Sequence, residues 1–480
     1  MNYLKKRWAG LGASSALETL QLFLISLFCL ECVIGGSGRI ISFGYFSLRI
    51  ILFMVCFFLT LPAVWRARTQ LLHQTYTWIW AAFFLLLALY AVRGLRSGYP
   101  FSFVKQDVTI FLTLLLYPAF VICLNTRARV QWIVDVLYGG AILVAVVTLG
   151  LHVALAFASK AELTAINNFL NHTSYGGLAL LGTSYYRIYL KSQMFLQVAI
   201  LLGLHKIIAA TSRRSKVFFL ICEVVLVYAT ILSYTRGFWL GLAISCIILL
   251  LCCLRNWKKY LTTLAISLAG VACMFVISYC LYGSNVAFHT FTARVTGTAI
   301  DCLVDGSDNA IANPGNANGN KPSAGLSATQ ELIAKNSIAA QNLREATMEE
   351  HERLIAADPF WGYGLGKNLD GIRTDGRTEY TYLDLYMKLG LIGFLLFALV
   401  FCWHCTDALK LCFRRKKGVK GDVELVSTYL MAGYVGILVT SYLNPFLTSP
   451  MGIMLLLTLI ISVKQDRLNR LPSAPIADCQ

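Results

Sequence analysis

The sequence predicts an all-α polytopic membrane protein with about twelve transmembrane helices. Its 480 residues are 57% hydrophobic and only 14% charged, and a soluble protein of this size would expose too much apolar surface with so few charges. Apolar runs of roughly 18 or more residues recur along the chain, and each is long enough to cross about 30 Å of hydrocarbon as a helix. Only one connection between these runs is large.

The predicted spans follow the apolar runs in chain order. They lie at 16–36, 44–65, 75–92, 107–124, 131–157, 192–210, 217–234, 238–254, 261–282, 380–402, 425–444 and 447–463.

Basic residues predict the orientation of these spans. Lys and Arg cluster in alternate connections, for example Arg213-Arg214, Lys258-Lys259 and "RRKK" at 414–417. Since cytoplasmic loops carry the excess of Lys and Arg, both termini are predicted to be cytoplasmic. The chain has 41 Lys and Arg against 24 Asp and Glu, and these loops account for most of the excess. We therefore expect no nucleic-acid partner.

Four segments follow from this topology. Residues 1–282 hold spans one to nine, 283–378 form a large loop outside the cytoplasm, 379–463 hold spans ten to twelve, and 464–480 form a cytoplasmic tail. The loop begins with "DGSDNAIANPGNANGNKPSAG", a composition that predicts disorder because it cannot bury enough apolar surface. A helix is predicted next, from Ser327 to Ala357, and it stops before a proline.

Arg236 lies in "SYTRGFW" at the outer end of the seventh span. A charge at that depth is costly unless it snorkels to the interface or lines a polar cavity. Trp239 at headgroup level would suit a snorkelling anchor, whereas a permanent cation would also suit a binding site. The residues alone leave these two interpretations level.

Further arginines are predicted on the same outer side, among them Arg187 and Arg344. Arg344, Met348, His351 and Ile355 follow helical spacing and share one helix face. That face either rests on the membrane surface or contributes to a site. Converging arginines would suit a diphosphate, because guanidinium groups hold phosphate oxygens bidentately and never lose their charge.

Three ionisable residues lie near the start of the tenth span. Asp384 and Lys388 are four residues apart, so we expect a structural ion pair inside the bundle. Glu379 can be a solvated carboxylate that the helix dipole favours. Alternatively, desolvation can raise its pKa enough to make it a general base.

Three segments together carry a family resemblance. "SYTRGFWLGL" looks like an S-x-x-R-G-x-W-x-G-L signature, and "REATMEEHERLIAADPFWGYGLG" is similar to an arginine, a helix and then Pro-x-x-Gly-x-Gly-x-Gly. "EYTYLDLYMKLGLIG" resembles a block that re-enters the membrane and ends in Gly-Leu-Ile-Gly. In this order, with one large outer loop and about twelve spans, they resemble the O-antigen ligase/polymerase superfamily over most of residues 180–460. Those bacterial membrane glycosyltransferases use glycans carried on undecaprenyl diphosphate.

The resemblance implies a fold like that of the C-type glycosyltransferases, in the inner membrane, with the active site facing the periplasm. It implies a transfer that needs neither metal nor cofactor. Arg236 and Arg344, together with Arg187, would neutralise the diphosphate that leaves. Glu379 and His351 are the candidate catalytic residues that would take the proton from the acceptor hydroxyl.

One departure bears on the reaction. Family members that ligate O-antigen to lipid A-core typically begin the re-entry block with His-Asn, and that histidine helps to activate the acceptor. Counting back from Gly390, this sequence has Glu379-Tyr380 there. A second, milder departure is Met348, where the family often has tryptophan.

We therefore predict a polymerase of O-antigen, capsule or exopolysaccharide that transfers a lipid-linked glycan onto another lipid-linked repeat unit. The alternative within the family is the ligase, with lipid A-core as acceptor; a chain-length regulator is a further candidate partner. A transporter of lipid-linked sugar is the alternative of another class, with Glu18, Glu31, Asp384 and Lys388 as midplane groups. The absence of matching sequence halves argues against it.

Overall fold

A computed structural model confirms the all-α polytopic membrane fold. The residues it describes are 10–12, 15–36, 38, 40–43, 46–181, 185–253, 257–282, 288, 291–292, 328–369, 372, 380–413, 425–442 and 444–468. Within these ranges, nine helices are long and apolar enough to cross a membrane, and Arg236–Cys252 and Val426–Thr440 are shorter apolar helices. With Pro450–Leu468, they lie at the positions of the predicted spans.

The first part of the chain forms a run of helices that ends with one of 31 residues. Ser15 and Thr126 begin two of these helices by accepting a hydrogen bond from a main-chain N–H three residues later, as N-cap residues do. The elements are α1 (Ala16–Ile34), β1 (Ser42–Phe43), β2 (Phe46–Ser47), α2 (Leu48–Arg66), α3 (Arg68–Leu72), α4 (Thr75–Arg96), α5 (Phe101–Phe111), a 3-10 helix (Leu112–Leu116), α6 (Tyr117–Cys123) and α7 (Arg127–Phe157).

A small subdomain follows α7, where only a short connection was predicted. It contains α8 (Lys160–His172) and the antiparallel hairpin of β3 (Gly176–Leu181) and β4 (Tyr185–Leu190). Ser159 and Glu162 form a capping box that starts α8. Side chains from the end of α7, from α8, from the turn before β3 and from β4 share an apolar core: Leu155, Leu163, Leu170, Tyr175, Tyr186, Ile188 and Leu190.

The remaining helices run to the carboxyl-terminal part of the chain. They are α9 (Met194–Ala209), α10 (Arg213–Leu232), α11 (Arg236–Cys252), α12 (Trp257–Tyr282), α13 (Ala328–Ala357), α14 (Thr381–Phe413), α15 (Val426–Thr440) and α16 (Pro450–Leu468), with a 3-10 helix at Lys191–Gln193 before α9. The helix predicted at 327–357 is thus present as α13. Residues 303–325 of the predicted loop lie outside the described ranges.

Small residues bring the central helices α11 and α15 together. A Cβ placed on Gly241 would lie 2.5 Å from the main-chain oxygen of Gly436 and 2.4 Å from Thr440 Oγ1. These helices therefore approach backbone to backbone, as small residues allow in membrane bundles. Helix α15 also packs against α9. The close contact between α11 and α15 positions the first turn of α11, where Arg236 lies.

Helix α14 is interrupted at Gly390, whose backbone has φ 60° and ψ −177°. The segment 359–366 runs beside this break: Leu391 N donates to Pro359 O at 2.8 Å, and Gly364 N donates to Lys388 O at 2.9 Å. A Cβ on Gly390 would lie 2.4 Å from Phe360 O. The break thus lets "FWGYGLG" pack against α14 through main-chain hydrogen bonds.

Candidate functional site

A tight turn between α10 and α11 presents Arg236. Tyr234 in this turn has φ 46°, a left-handed conformation that is uncommon for a bulky residue. Its side chain is 1% exposed. Ser233 stabilises the turn, because its hydroxyl donates to Thr230 O at 2.7 Å and accepts from Thr235 N at 3.3 Å. The turn makes Arg236 the first residue of α11.

Arg187 holds this turn from strand β4. Its Nε donates to Ser233 O at 2.7 Å and its Nη2 donates to Thr235 Oγ1 at 2.9 Å. The same Thr235 hydroxyl donates to Ser233 O at 3.1 Å. Arg187 therefore contacts the turn that directly precedes Arg236, although the two arginines are far apart in the chain. Two of the Arg187 donor groups are occupied by the protein itself.

The start of α11 is suited to an anion. Thr235 forms no side-chain cap, and the first turn contains no acidic residue. The first N–H groups of a helix have no intrahelical partner, and the helix dipole makes this end positive. A phosphate commonly binds at such a position.

The Arg236 side chain is exposed at this helix start. Among the described residues, no hydrogen bond or ion pair engages its guanidinium group, which has five N–H donors. The permanent charge of Arg236 thus adds to the positive end of α11. This end of the bundle is called the site end below.

Helix α13 reaches the site end through its packing on β3 and α14. Its buried side comprises Thr347, His351 and Leu354, whereas Arg344 is exposed. Burial therefore differs along the predicted face from Arg344 to Ile355. His351 is buried at its centre, whereas Arg344 is in contact with solvent. Other parts of the protein cover the apolar side of this helix. The helix therefore does not need to rest on the membrane surface to bury that side.

His351 lies in a closed contact with α14. Its Nδ1 is 2.6 Å from Thr347 O, and Nδ1 must carry the proton because a carbonyl oxygen only accepts. Its Nε2 is 3.9 Å from Asp384 Oδ1, and the Tyr380 ring packs beside it. His351 is 0% exposed, so it contacts no solvent in this position.

A buried ion triad continues from Asp384. Lys388 Nζ lies 2.9 Å from Asp384 Oδ2 and 3.0 Å from Asp107 Oδ1, and the Lys388 side chain is 2% exposed. Asp107 Oδ2 also accepts from Gly366 N at 2.8 Å. The predicted Asp384–Lys388 pair is present, and it joins α5, α14 and the glycine-rich segment.

Asp107 is a residue that the sequence analysis passed over. An aspartate within the fourth apolar span is itself a signal, because carboxylates within spans are costly and usually paired. The β3–β4 hairpin that positions Arg187 was also missed. "SYYRIYL" is rich in aromatic and branched residues typical of strands, although seven residues are a weak signal.

Glu379 lies outside the described residues. Thr381, at the start of α14, donates its hydroxyl to Asn444 O at 3.0 Å. The Asn444 amide nitrogen in turn lies 3.6 Å from the position of a Cβ on Gly237. The start of α14 is thus connected through Asn444 to the first turn of α11.

Comparison with known proteins gives one family match, which includes most of the candidate site residues. Residues 221–398 match a family model described as O-antigen ligase; the matched range is shorter than the predicted 180–460. It includes Arg236, Arg344, His351 and Glu379, whereas Arg187 precedes it. A search of curated proteins found no significant match. The family match over residues 221–398 confirms the resemblance to the O-antigen ligase/polymerase superfamily, which covers O-antigen ligases and related polymerases.

Proposed function

We propose that the protein is a polysaccharide polymerase that transfers a lipid-linked glycan onto another lipid-linked repeat unit. The observation that carries this proposal is the exposed Arg236 at the uncapped start of α11, within the matched range. A permanent cation on a helix N-terminus suits the diphosphate that joins glycan to undecaprenyl lipid. The product is O-antigen, capsule or exopolysaccharide.

The transfer breaks the bond between the sugar carbon and the diphosphate oxygen, and forms a bond from that carbon to the acceptor hydroxyl oxygen. Negative charge develops on the departing diphosphate. Arg236 and Arg344 neutralise it, and Arg187 supports them by holding the turn before α11. Fixed charges that meet charge developing in the transition state contribute most to the rate. In this proposal the reaction needs no metal.

A base takes the proton from the acceptor hydroxyl as the new bond forms. Glu379 is the first candidate, because it takes the place of the family histidine at the start of the re-entry block. His351 is the second. Its burial means that it acts on an acceptor only after α13 shifts, or through Asp384.

The polymerase assignment is favoured over the ligase by Glu379-Tyr380, which stand where ligases typically have His-Asn. The description of the matched family as O-antigen ligase keeps the ligase, with lipid A-core as acceptor, as the second candidate. A chain-length regulator is a further proposed partner.

The proposed topology follows from the basic clusters. Both termini are cytoplasmic, the protein crosses the inner membrane, and the site end faces the periplasm. Spans one to nine fill residues 1–282, the periplasmic loop is 283–378, spans ten to twelve fill 379–463 and the tail is 464–480.

The experiment that tests the proposal incubates the purified protein with lipid-linked repeat units alone. A polymerase produces a ladder of glycan lengths, and the ladder should be absent with the Arg236→Ala protein. Glycan transfer that occurs only when lipid A-core is added identifies the ligase. No transfer under either condition, from protein that retains its fold, would refute both assignments.

A further inference from the structure

Asn444 lies where three elements of the site end meet. It is in the connection between α15 and α16 and is 9% exposed. Its Oδ1 accepts from the Tyr189 hydroxyl at 3.3 Å, and its main-chain oxygen accepts from Thr381 Oγ1 at 3.0 Å. Tyr189 belongs to the same hairpin strand as Arg187. The side chain is therefore held from the hairpin, and the main chain is held from the start of α14.

These contacts set the orientation of the amide. Asn444 Nδ2 faces the main-chain oxygen of Thr440 at 3.4 Å. Because that carbonyl only accepts, the amide atom facing it must be the nitrogen. The amide oxygen accepts a hydrogen bond from the Tyr189 hydroxyl. The network thus leaves one orientation in which every contact joins a donor to an acceptor.

The amide nitrogen lies beside the first turn of α11. A Cβ on Gly237 would be 3.6 Å from Nδ2, and Gly237 directly follows Arg236. The contact with Thr440 uses one of the two N–H bonds of the amide. The start of α11 and the Arg236 guanidinium provide hydrogen-bond donors in the same turn as Gly237, and the Asn444 amide adds a donor beside that turn. A cluster of donors with a net positive charge selects an anion with several acceptor oxygens.

We propose that Asn444 is a further binding residue for the lipid diphosphate, and that the second N–H of its amide donates to a phosphate oxygen held at the start of α11. This inference rests on the proposed function, because it names a residue of the same site. It assigns a role to a residue outside the matched range 221–398. It also explains why the hairpin contacts this connection, since Tyr189 orients the amide towards the ligand.

The decisive comparison is between Asn444→Asp and Asn444→Ala. Aspartate keeps the size of the side chain and the oxygen that accepts from Tyr189, but it replaces the donor with a negative charge. If Asn444 has only a structural role, the donor KM of both variants should stay near the wild-type value and any loss should follow the loss of folded protein, since the Asp carboxylate also faces Thr440 O. If Asn444 binds the diphosphate, about a 10-fold loss of donor kcat/KM is expected for Ala, and about 100-fold for Asp, mainly through KM in folded protein.

Binding is measured separately with farnesyl diphosphate, a lipid diphosphate without a glycan. The wild-type protein should bind it, Asn444→Ala should bind it about 10-fold more weakly, and Asn444→Asp should show no saturable binding. Asn171→Asp is the matched control, because it adds a negative charge to α8 in the hairpin subdomain; its affinity should stay within about twofold of wild type. Thermal unfolding in detergent checks that each variant is folded.

Asn444→Leu and Asn444→Gln keep the inference testable if the Asp variant does not fold. Leucine removes the donor without adding charge and should weaken farnesyl diphosphate binding about 10-fold, whereas glutamine keeps an amide and should retain more binding. Equal affinity of the Leu variant and wild type, or an Asp variant as active as Ala, would overturn the inference. A wild-type protein that neither binds the diphosphate nor transfers glycan would instead overturn the proposed function.

Discussion

Arg236 combines a permanent charge, solvent exposure and a place on the uncapped start of α11. Arg236→Ala should lower kcat/KM for glycan transfer by about 100-fold or more, because it removes charge-assisted hydrogen bonds worth roughly 3 kcal/mol in total. Arg236→Lys should restore activity only in part, since lysine cannot bind two oxygens in a fork. The measurement is polymer yield over time, with protein level and membrane insertion checked by immunoblot.

Arg353→Ala is the matched control for this substitution. Arg353 is an exposed arginine on α13 that pairs with Glu350 at 2.6 Å, and an exposed ion pair contributes little. Its loss should leave transfer within about twofold of wild type. Undiminished polymer yield from the Arg236→Ala protein would contradict the proposed diphosphate site.

Glu379→Gln separates the two interpretations of this carboxylate. If Glu379 is the base, the glutamine variant should lose most of its turnover, about 100-fold, while donor KM changes little. Glu379→His should then restore part of the rate. If the carboxylate only interacts favourably with the positive end of the helix dipole, turnover should be nearly unchanged. In that case His351 becomes the next candidate, and single-turnover rates of His351→Gln would test it.

At the scale of elements, the triad of Asp107, Lys388 and Asp384 joins α5 to α14. Lys388→Met should destabilise the protein by about 3–5 kcal/mol, because it leaves two largely buried carboxylates without their cation. The measurement is unfolding in detergent. The triple variant that adds Asp107→Asn and Asp384→Asn should recover much of this loss. A Lys388→Met protein as stable as wild type would show that the triad contributes nothing to the packing of these helices.

The interruption of α14 depends on Gly390. Gly390→Ala should cost about 1–3 kcal/mol because a positive φ with an extended ψ is adopted almost only by glycine, and more because its Cβ would lie 2.4 Å from Phe360 O. We expect a lower unfolding temperature and reduced transfer. Gly150→Ala in α7 is the control, since the added Cβ would have no described atom within 4 Å apart from its chain neighbours and the nearby backbone of its own helix. A stable, active Gly390→Ala protein would mean that segment 359–366 can pack without this break.

The positions of the long helices were predictable because apolar length and proline positions are local properties of the chain, although α14 extends to Phe413, beyond the predicted end at 402. Helix α13 ends at Ala357, directly before Asp358-Pro359. The contact of Arg187 with Ser233 and Thr235 was not predictable, since it joins residues about 46 positions apart through a hairpin with only a weak local signal. The Asp107–Lys388 pair spans 281 positions. Each partner was visible as an intramembrane charge, but no local pattern joins them.

At the scale of the whole molecule, the site end gathers parts from most of the chain. In the proposed site, strand β4 supplies Arg187, α11 supplies Arg236, α13 supplies Arg344, and the α15–α16 connection supplies Asn444. The family match covers only residues 221–398, so the segments before and after it contribute contacts to the same end of the bundle. This arrangement explains why the motifs, which are individually short, indicate one site only in combination.

Deleting residues 303–325 should change transfer by no more than about twofold. The stretch is rich in Asn, Gly and Ala and poor in large apolar residues, a composition that predicts disorder, and the closure entropy of a disordered connection changes only slowly with its length. The deletion is compared with a variant in which a Gly-Ser segment of equal length replaces 303–325. If only the deletion loses activity, the length is needed so that α12 and α13 can keep their places. If both lose activity while unfolding as wild type does, the stretch binds glycan or a partner through its sequence, and the interpretation of it as a spacer is wrong.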